Sequence, residues 1–214
     1  METLTSFATH SLSAEHRQAF DFALGTVASR NHLILMGPEG VEKTTLIRQV
    51  AAQLNRPCIY DNLRQTPSRD AFIATLLQEM VRLWPTERVK QFVEVFSVSR
   101  TARLNIDTGA FEWIEEKTDD TLTLLERIFD MIESLSEETR CLVVFDEFQK
   151  IVSLEDKIEA KLRAIIQLQR NINYVFVGSD EMQMIDIFLN VRNPFYRIGA
   201  FLYLQPTKNS RQTV

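Results

Sequence analysis

The chain predicts an α/β fold: a doubly wound, mostly parallel sheet with helices on both faces. Three observations predict it. Short, continuously apolar runs recur, as expected of strands buried on both sides. Between them lie stretches with apolar residues at three- and four-residue steps, the spacing of an amphipathic helix. The strand-then-helix order repeats along the chain, which sets successive strands parallel. A length of 214 residues fits one large domain, or a core with a small insertion.

Residues 13–28 predict a helix with Phe20, Ala23, Leu24 and Val27 on its inner face. Residues 32–36 predict a buried strand, and residues 44–54 a helix carrying Leu46, Ile47, Val50 and Leu54 inward. A strand follows at 57–60. Ser68-Arg69-Asp70 then caps a helix bearing Phe72, Ile73, Leu76, Leu77 and Met80, which Trp84-Pro85 closes. Residues 86–119 break the pattern. A short helix near 88–96 precedes alternating polar and apolar residues over 97–114, centred on Asp107-Thr108-Gly109, a hairpin signal. This stretch is expected to be an insertion in a core spanning 1–206. Alternation resumes with a helix at 120–134, a strand at 141–145, a helix at 154–170 and a strand at 174–177. A helix at 181–189, a strand at 200–204 and a polar tail at 207–214 complete the chain.

Hydrophobic residues make up 45% and charged residues 25%, enough to bury a substantial core. No apolar run approaches the roughly 20 residues that cross a bilayer, so no membrane association is expected. The N-terminus lacks a basic region followed by an apolar stretch, so no secretory signal is read. Cys58 and Cys141 both lie in strand-like runs, where buried free thiols are expected rather than a disulfide or metal site. A cytoplasmic location follows. The net charge of −5 argues against nucleic-acid binding through overall charge. Arg82, Arg88, Lys90, Arg100 and Arg103 are interleaved with acids and read as solvated surface.

Two motifs carry chemistry. Gly37-Pro38-Glu39-Gly40-Val41-Glu42-Lys43-Thr44-Thr45 joins an apolar strand to a helix. A tight loop feeding a helix N-terminus offers backbone N–H groups and the positive dipole end to a phosphate. Gly37 and Gly40 would let the backbone wrap the phosphates, Lys43 would reach the β- and γ-phosphates, and Thr44 would hold Mg²⁺. The bland alternative is a strand–turn–helix corner with an incidental lysine. Asp146-Glu147 follows the next strongly apolar strand. Asp146 there suits Mg²⁺ binding and Glu147 suits activation of an attacking water, the alternative being two surface carboxylates ending a strand.

Taken with Leu142-Val143-Val144-Phe145-Asp146-Glu147-Phe148-Gln149, Val175-Phe176-Val177-Gly178-Ser179 and Asn193-Pro194-Phe195-Tyr196-Arg197, the chain resembles the P-loop ATPases of the AAA+/STAND group, particularly the archaeal-type ATPase family. The resemblance runs from about residue 12 to 205 and identifies the two motifs as Walker A and Walker B. It implies a three-layer P-loop NTPase sandwich around a five-stranded sheet, with the P-loop strand and the Asp146 strand not adjacent. It also implies ATP and Mg²⁺ as cofactors. Ser179 falls at the sensor-1 position, although a helix N-cap explains it equally well. Arg197 falls where relatives place an arginine finger, although a surface or interdomain ion pair is the preferred reading. Gln149 belongs to the signature without an assigned catalytic role.

Two departures stand out. The pattern asks for glycine at position 42, where this chain has Glu42. A side chain at positive φ costs about 1–2 kcal/mol, and a carboxylate near phosphate adds repulsion of roughly a few kcal/mol. Together they are expected to weaken ATP binding by about 100-fold. The helical lid that covers the adenine in family members is not expected within the eight residues after Pro206. Three functions therefore compete: a Mg²⁺-dependent ATPase switch with weakened binding, acting with a protein partner or by self-association; a pseudo-ATPase scaffold; and a helper ATPase on DNA-bound complexes. Direct nucleic-acid binding is not expected.

Overall fold

The computed structural model describes residues 14–85, 87–89, 102–105, 110–113, 121–154 and 157–206, with backbone alone for 14, 102–105, 110–113 and 121–123. Its elements are α1 (Ala14–Ala28), β1 (Leu33–Met36), α2 (Lys43–Leu54), β2 (Cys58–Asn62), α3 (Arg69–Leu83), β3 (Ala102–Asn105), β4 (Ala110–Trp113), α4 (Thr121–Leu135), β5 (Cys141–Asp146), α5 (Ile158–Ile166), β6 (Ile172–Gly178), α6 (Glu181–Leu189) and β7 (Ala200–Tyr203). Five strands form one sheet in the order β2-β5-β6-β1-β7. Every pairing in it is parallel. This is the P-loop NTPase sandwich, and β6 separates the loop-bearing β1 from β5. Their carboxyl ends flank the crevice where open α/β sheets bind ligands.

Two apolar layers sandwich the sheet. Ala19, Ala23 and Val27 of α1 and Leu46, Ile47 and Val50 of α2 pack on Leu33, Leu35, Val144, Val175 and Val177. The opposite face is aromatic: Phe72, Phe129, Phe145, Phe148, Tyr174, Phe176, Phe188 and Phe195 are fully buried. Phe148 lies 4.7 Å from Phe176 and 5.2 Å from Phe195, centroid to centroid. Each such ring contributes about 1.5–3 kcal/mol by burial. Because Phe148 directly follows Glu147, this packing anchors the end of β5 where the acidic pair stands.

One predicted helix is corrected. Residues 154–170 do not form a continuous helix: a 3-10 segment covers Phe148–Ser153, and α5 is confined to Ile158–Ile166. Lys157 takes a left-handed conformation (φ 59) and so starts the helix late. Beyond Gln167 the chain turns, and the Glu133 carboxylate accepts from the backbone N–H groups of Arg170 and Asn171. Of the helix expected near 88–96, only its start lies within the described residues, where 87–89 are helical. The hairpin is present as β3 paired antiparallel with β4. Its turn, and the bounds of the expected insertion, lie outside the described residues. Ser68 caps α3 as expected, accepting from Ala71 N at 3.2 Å. Both cysteines are free, Cys141 buried and Cys58 partly so. Among the described residues no helix is long and apolar enough to cross a membrane.

Candidate active site

The loop after β1 is shaped by its glycines. At Gly37, with φ 155, a Cβ would stand 2.3 Å from the Leu204 carbonyl oxygen. Gly40 has φ 82, in the left-handed region, with open space around it. Glu42 is the N-cap of α2 and holds φ 61, ψ 30 without a side-chain capping bond. The conformation that favours glycine is therefore kept, with an exposed glutamate in it.

Lys43 opens α2 and is 6% exposed. Its Nζ donates to the carbonyls of Gly37 at 2.8 Å and Pro38 at 2.7 Å, which ties the loop into a ring. An ammonium has three donors, so one remains for a ligand. Burial lowers the Lys43 pKa, opposed by the charges of Glu147, Asp146 and Glu39.

The acidic pair faces this loop. Asp146, the last residue of β5, accepts on Oδ2 from Thr44 Oγ1 at 2.6 Å and Tyr60 OH at 2.5 Å. Its Oδ1 accepts from Glu147 N at 2.9 Å. Burial, then the Asp146 hydrogen bond, pushes the Tyr60 hydroxyl pKa well up, so it stays a donor. On Glu147, Oε2 accepts from Ser179 Oγ at 2.7 Å, Gln149 Nε2 at 2.7 Å and Arg64 Nη2 at 3.2 Å. Arg64 also pairs with Glu39 in the loop, spanning the cleft. A cavity of about 400 Å³ is lined by Glu39, Gly40, Glu42, Lys43, Thr44, Arg64 and Glu147. A second, of about 360 Å³, lies between α1 and the end of β7, lined among others by His16, Phe22 and Tyr203. His16 Nε2 approaches Val41 O at 3.4 Å, so this cavity borders the loop.

Lys43, Thr44, Asp146, Glu147 and Ser179 thus converge. Ser179 is not the helix cap: Asp180 is, its side chain accepting from Gln183 N at 3.0 Å. Val41 is buried and Thr45 exposed, so at Val41 the backbone alone is available to a ligand. Arg197 stands apart. It has φ 55, and its guanidinium lies 5.2 Å from the Tyr196 ring centroid. No salt bridge to it is formed among the described residues, so the preferred ion-pair reading is not realised there. Tyr60 and Arg64 escaped the sequence reading. Both depend on β2 lying next to β5, with Asn62 in register with Asp146, which no local pattern reveals.

Arg64 is held by a closed turn. Thr66 Oγ1 donates to Asp61 Oδ1 at 2.7 Å, and Asn62 Oδ1 accepts from Arg64 N at 3.1 Å. Asp61 is 2% exposed and its Oδ2 has no partner among the described residues. Burial pushes its carboxyl up to about 6, with the Thr66 bond opposing and Glu79 adding. The folded state therefore holds a proton that the unfolded state, near the ordinary value of 3.8, releases earlier. Stability from this group is full below about pH 4 and falls as pH rises through about 6, by roughly 3 kcal/mol. Asp61→Asn is expected to flatten the fall in melting temperature between about pH 4 and 6. An unchanged slope in thermal melts would contradict this.

Thr44 Oγ1 and Asp146 Oδ2 are hard oxygen donors in contact beside the lysine, a set that fits Mg²⁺, which takes one or two protein ligands along with phosphate and water. Sheet order, glycine loop, buried lysine and acidic strand end together define a P-loop ATPase domain. More particularly, the chain belongs to the AAA domain family, whose model matches residues 27–185. A Walker-type ATPase of Pyrococcus abyssi is similar in structure at TM-score 0.61 and 18% identity, over 91% of this chain and 54% of that one. The ORC1 protein of Aeropyrum pernix, in complex with DNA, aligns at TM-score 0.57 and 14% identity, over 89% of this chain and 45% of that one. Cdc6p of Pyrobaculum aerophilum aligns at TM-score 0.55 and 15% identity, over 94% and 47%. These likenesses concern the fold, and the chain spans about half the length of each. No curated protein matches it.

Proposed function

We propose that this domain binds ATP with Mg²⁺ and hydrolyses it slowly, as a switch acting on a protein partner or another copy of itself. The observation that carries the reading is the 2.6 Å contact of Thr44 with Asp146, which sets the loop against the acidic pair. Lys43 clamps the β- and γ-phosphates with the loop N–H groups, and the cavity beside α1 and β7 takes the base. Mg²⁺, held by Thr44 and Asp146, would neutralise charge on the transferring phosphoryl group. Glu147 orients and deprotonates the attacking water once its three donors yield, and Ser179 positions that water. Arg64 exchanges its two carboxylates for phosphate oxygens, which match a guanidinium fork better. Arg64→Ala is expected to weaken ATP binding by about tenfold; unchanged affinity would leave Arg64 a surface bridge.

Glu42 supports a second reading, a scaffold that excludes nucleotide. The fold itself holds position 42 in the left-handed conformation, so the backbone cost is assigned to folding rather than to binding. Only charge repulsion remains against phosphate, and exposure screens it. The expected penalty drops from the hundredfold read in the sequence to about tenfold. Calorimetric titration with ATP·Mg²⁺ tests this. Wild type is expected to bind at the loop, and both Glu42→Gln and Glu42→Gly to bind there about tenfold tighter. No binding by any of the three would leave the scaffold.

A further inference from the structure

At the opposite pole of the sheet, three arginines gather that the nucleotide chemistry does not use. Arg56 precedes β2, Arg140 precedes β5 and Arg30 lies just ahead of β1. Leu142 N donates to Pro57 O at 2.8 Å, so the Arg56 and Arg140 stretches run side by side. Side chains alternate along strands. Since Cys58, Tyr60, Leu142 and Val144 face α1 and α2, Arg56 and Arg140 share that face. Fully buried Asn173, in register with Leu142, faces it too, and its Nδ2 donates to Asn31 O at 3.1 Å beside Arg30.

The cluster is under-satisfied. Arg56 Nη1 and Arg140 Nε and Nη1 are shielded from solvent, with no acceptor among the described residues. Burial lowers the Arg140 pKa, and the charges of Arg30 and Arg56 lower it further. Glu133 opposes this, but both its oxygens already accept backbone N–H groups. On the loop before β5, Glu138 pairs with Arg88 at 3.6 Å. Buried donors without acceptors and like charges held close are both unfavourable. One tetrahedral oxyanion relieves both, because its oxygens accept from several guanidinium forks.

We propose that Arg30, Arg56 and Arg140 form a second binding site, independent of the loop, for a phosphate-class oxyanion at the N-terminal rim of the sheet. The test titrates inorganic tripolyphosphate, without Mg²⁺, into the full chain carrying Lys43→Ala, which disables the loop. One saturable site is expected to remain, weakened about tenfold by Arg30→Gln and by Arg56→Gln. Arg30 is exposed, so its variant carries the test even where Arg140→Gln fails to fold. Absence of binding in the Lys43→Ala background, or affinity unmoved by both arginine variants, would overturn the site. A duplex of about 20 base pairs separates the sources: displacement of tripolyphosphate, falling steeply with salt, assigns nucleic-acid phosphate. Tripolyphosphate binding that the duplex does not displace assigns a free phosphate compound.

Discussion

Glu147→Gln is expected to lower ATP turnover by about 10²- to 10⁴-fold, the usual worth of a positioned general base, while ATP binding stays within about threefold of wild type. Glutamine keeps the acceptor oxygen that Ser179, Gln149 and Arg64 share, so the network around it survives. What disappears is the carboxylate that takes the proton from water. Single-turnover hydrolysis alongside calorimetry separates the two effects. Equal loss of binding and turnover would make Glu147 a structural tie. Turnover indistinguishable between wild type and variant would favour the scaffold. The three donors converging on one oxygen also account for the slow reaction proposed, because a base so engaged must first be released.

Lys43→Ala is expected to weaken ATP·Mg²⁺ by about a hundredfold or more, since it removes charge-assisted bonds from a buried ammonium to two phosphates. Lys43→Arg should not restore binding. A planar guanidinium cannot fill the narrow space between the Gly37 and Pro38 carbonyls that the ammonium occupies. The melting temperature is expected to change little in either variant, because the fold's stability lies in the aromatic and aliphatic layers. Retained affinity in Lys43→Ala would move the phosphate site away from this loop.

Much of this was readable before any coordinates, for identifiable physical reasons. The loop motif and Asp146-Glu147 are local signals, each attached to a short buried strand whose apolar run is unambiguous. Asp180 was hidden behind Ser179 because both residues suit an N-cap, and only the hydrogen bond to Gln183 separates them. The helix expected at 154–170 misled because apolar spacing continues through Lys157, whose left-handed turn leaves no trace in periodicity. Tyr60 and Arg64 were invisible for another reason: strand order, not strand content, brings β2 beside β5. Likewise the rim arginines lie far apart in sequence and meet only through that order. At Glu42 the motif implies the backbone conformation, but the exposure that decides how much repulsion survives has no local signal.

A crystal soaked with a non-hydrolysable ATP analogue and Mg²⁺ tests the central claim most directly. Phosphate density is predicted above the amides of residues 37–44, with Lys43 Nζ turned toward it and a metal between Thr44 and Asp146. Saturating analogue that leaves that loop bare would contradict it.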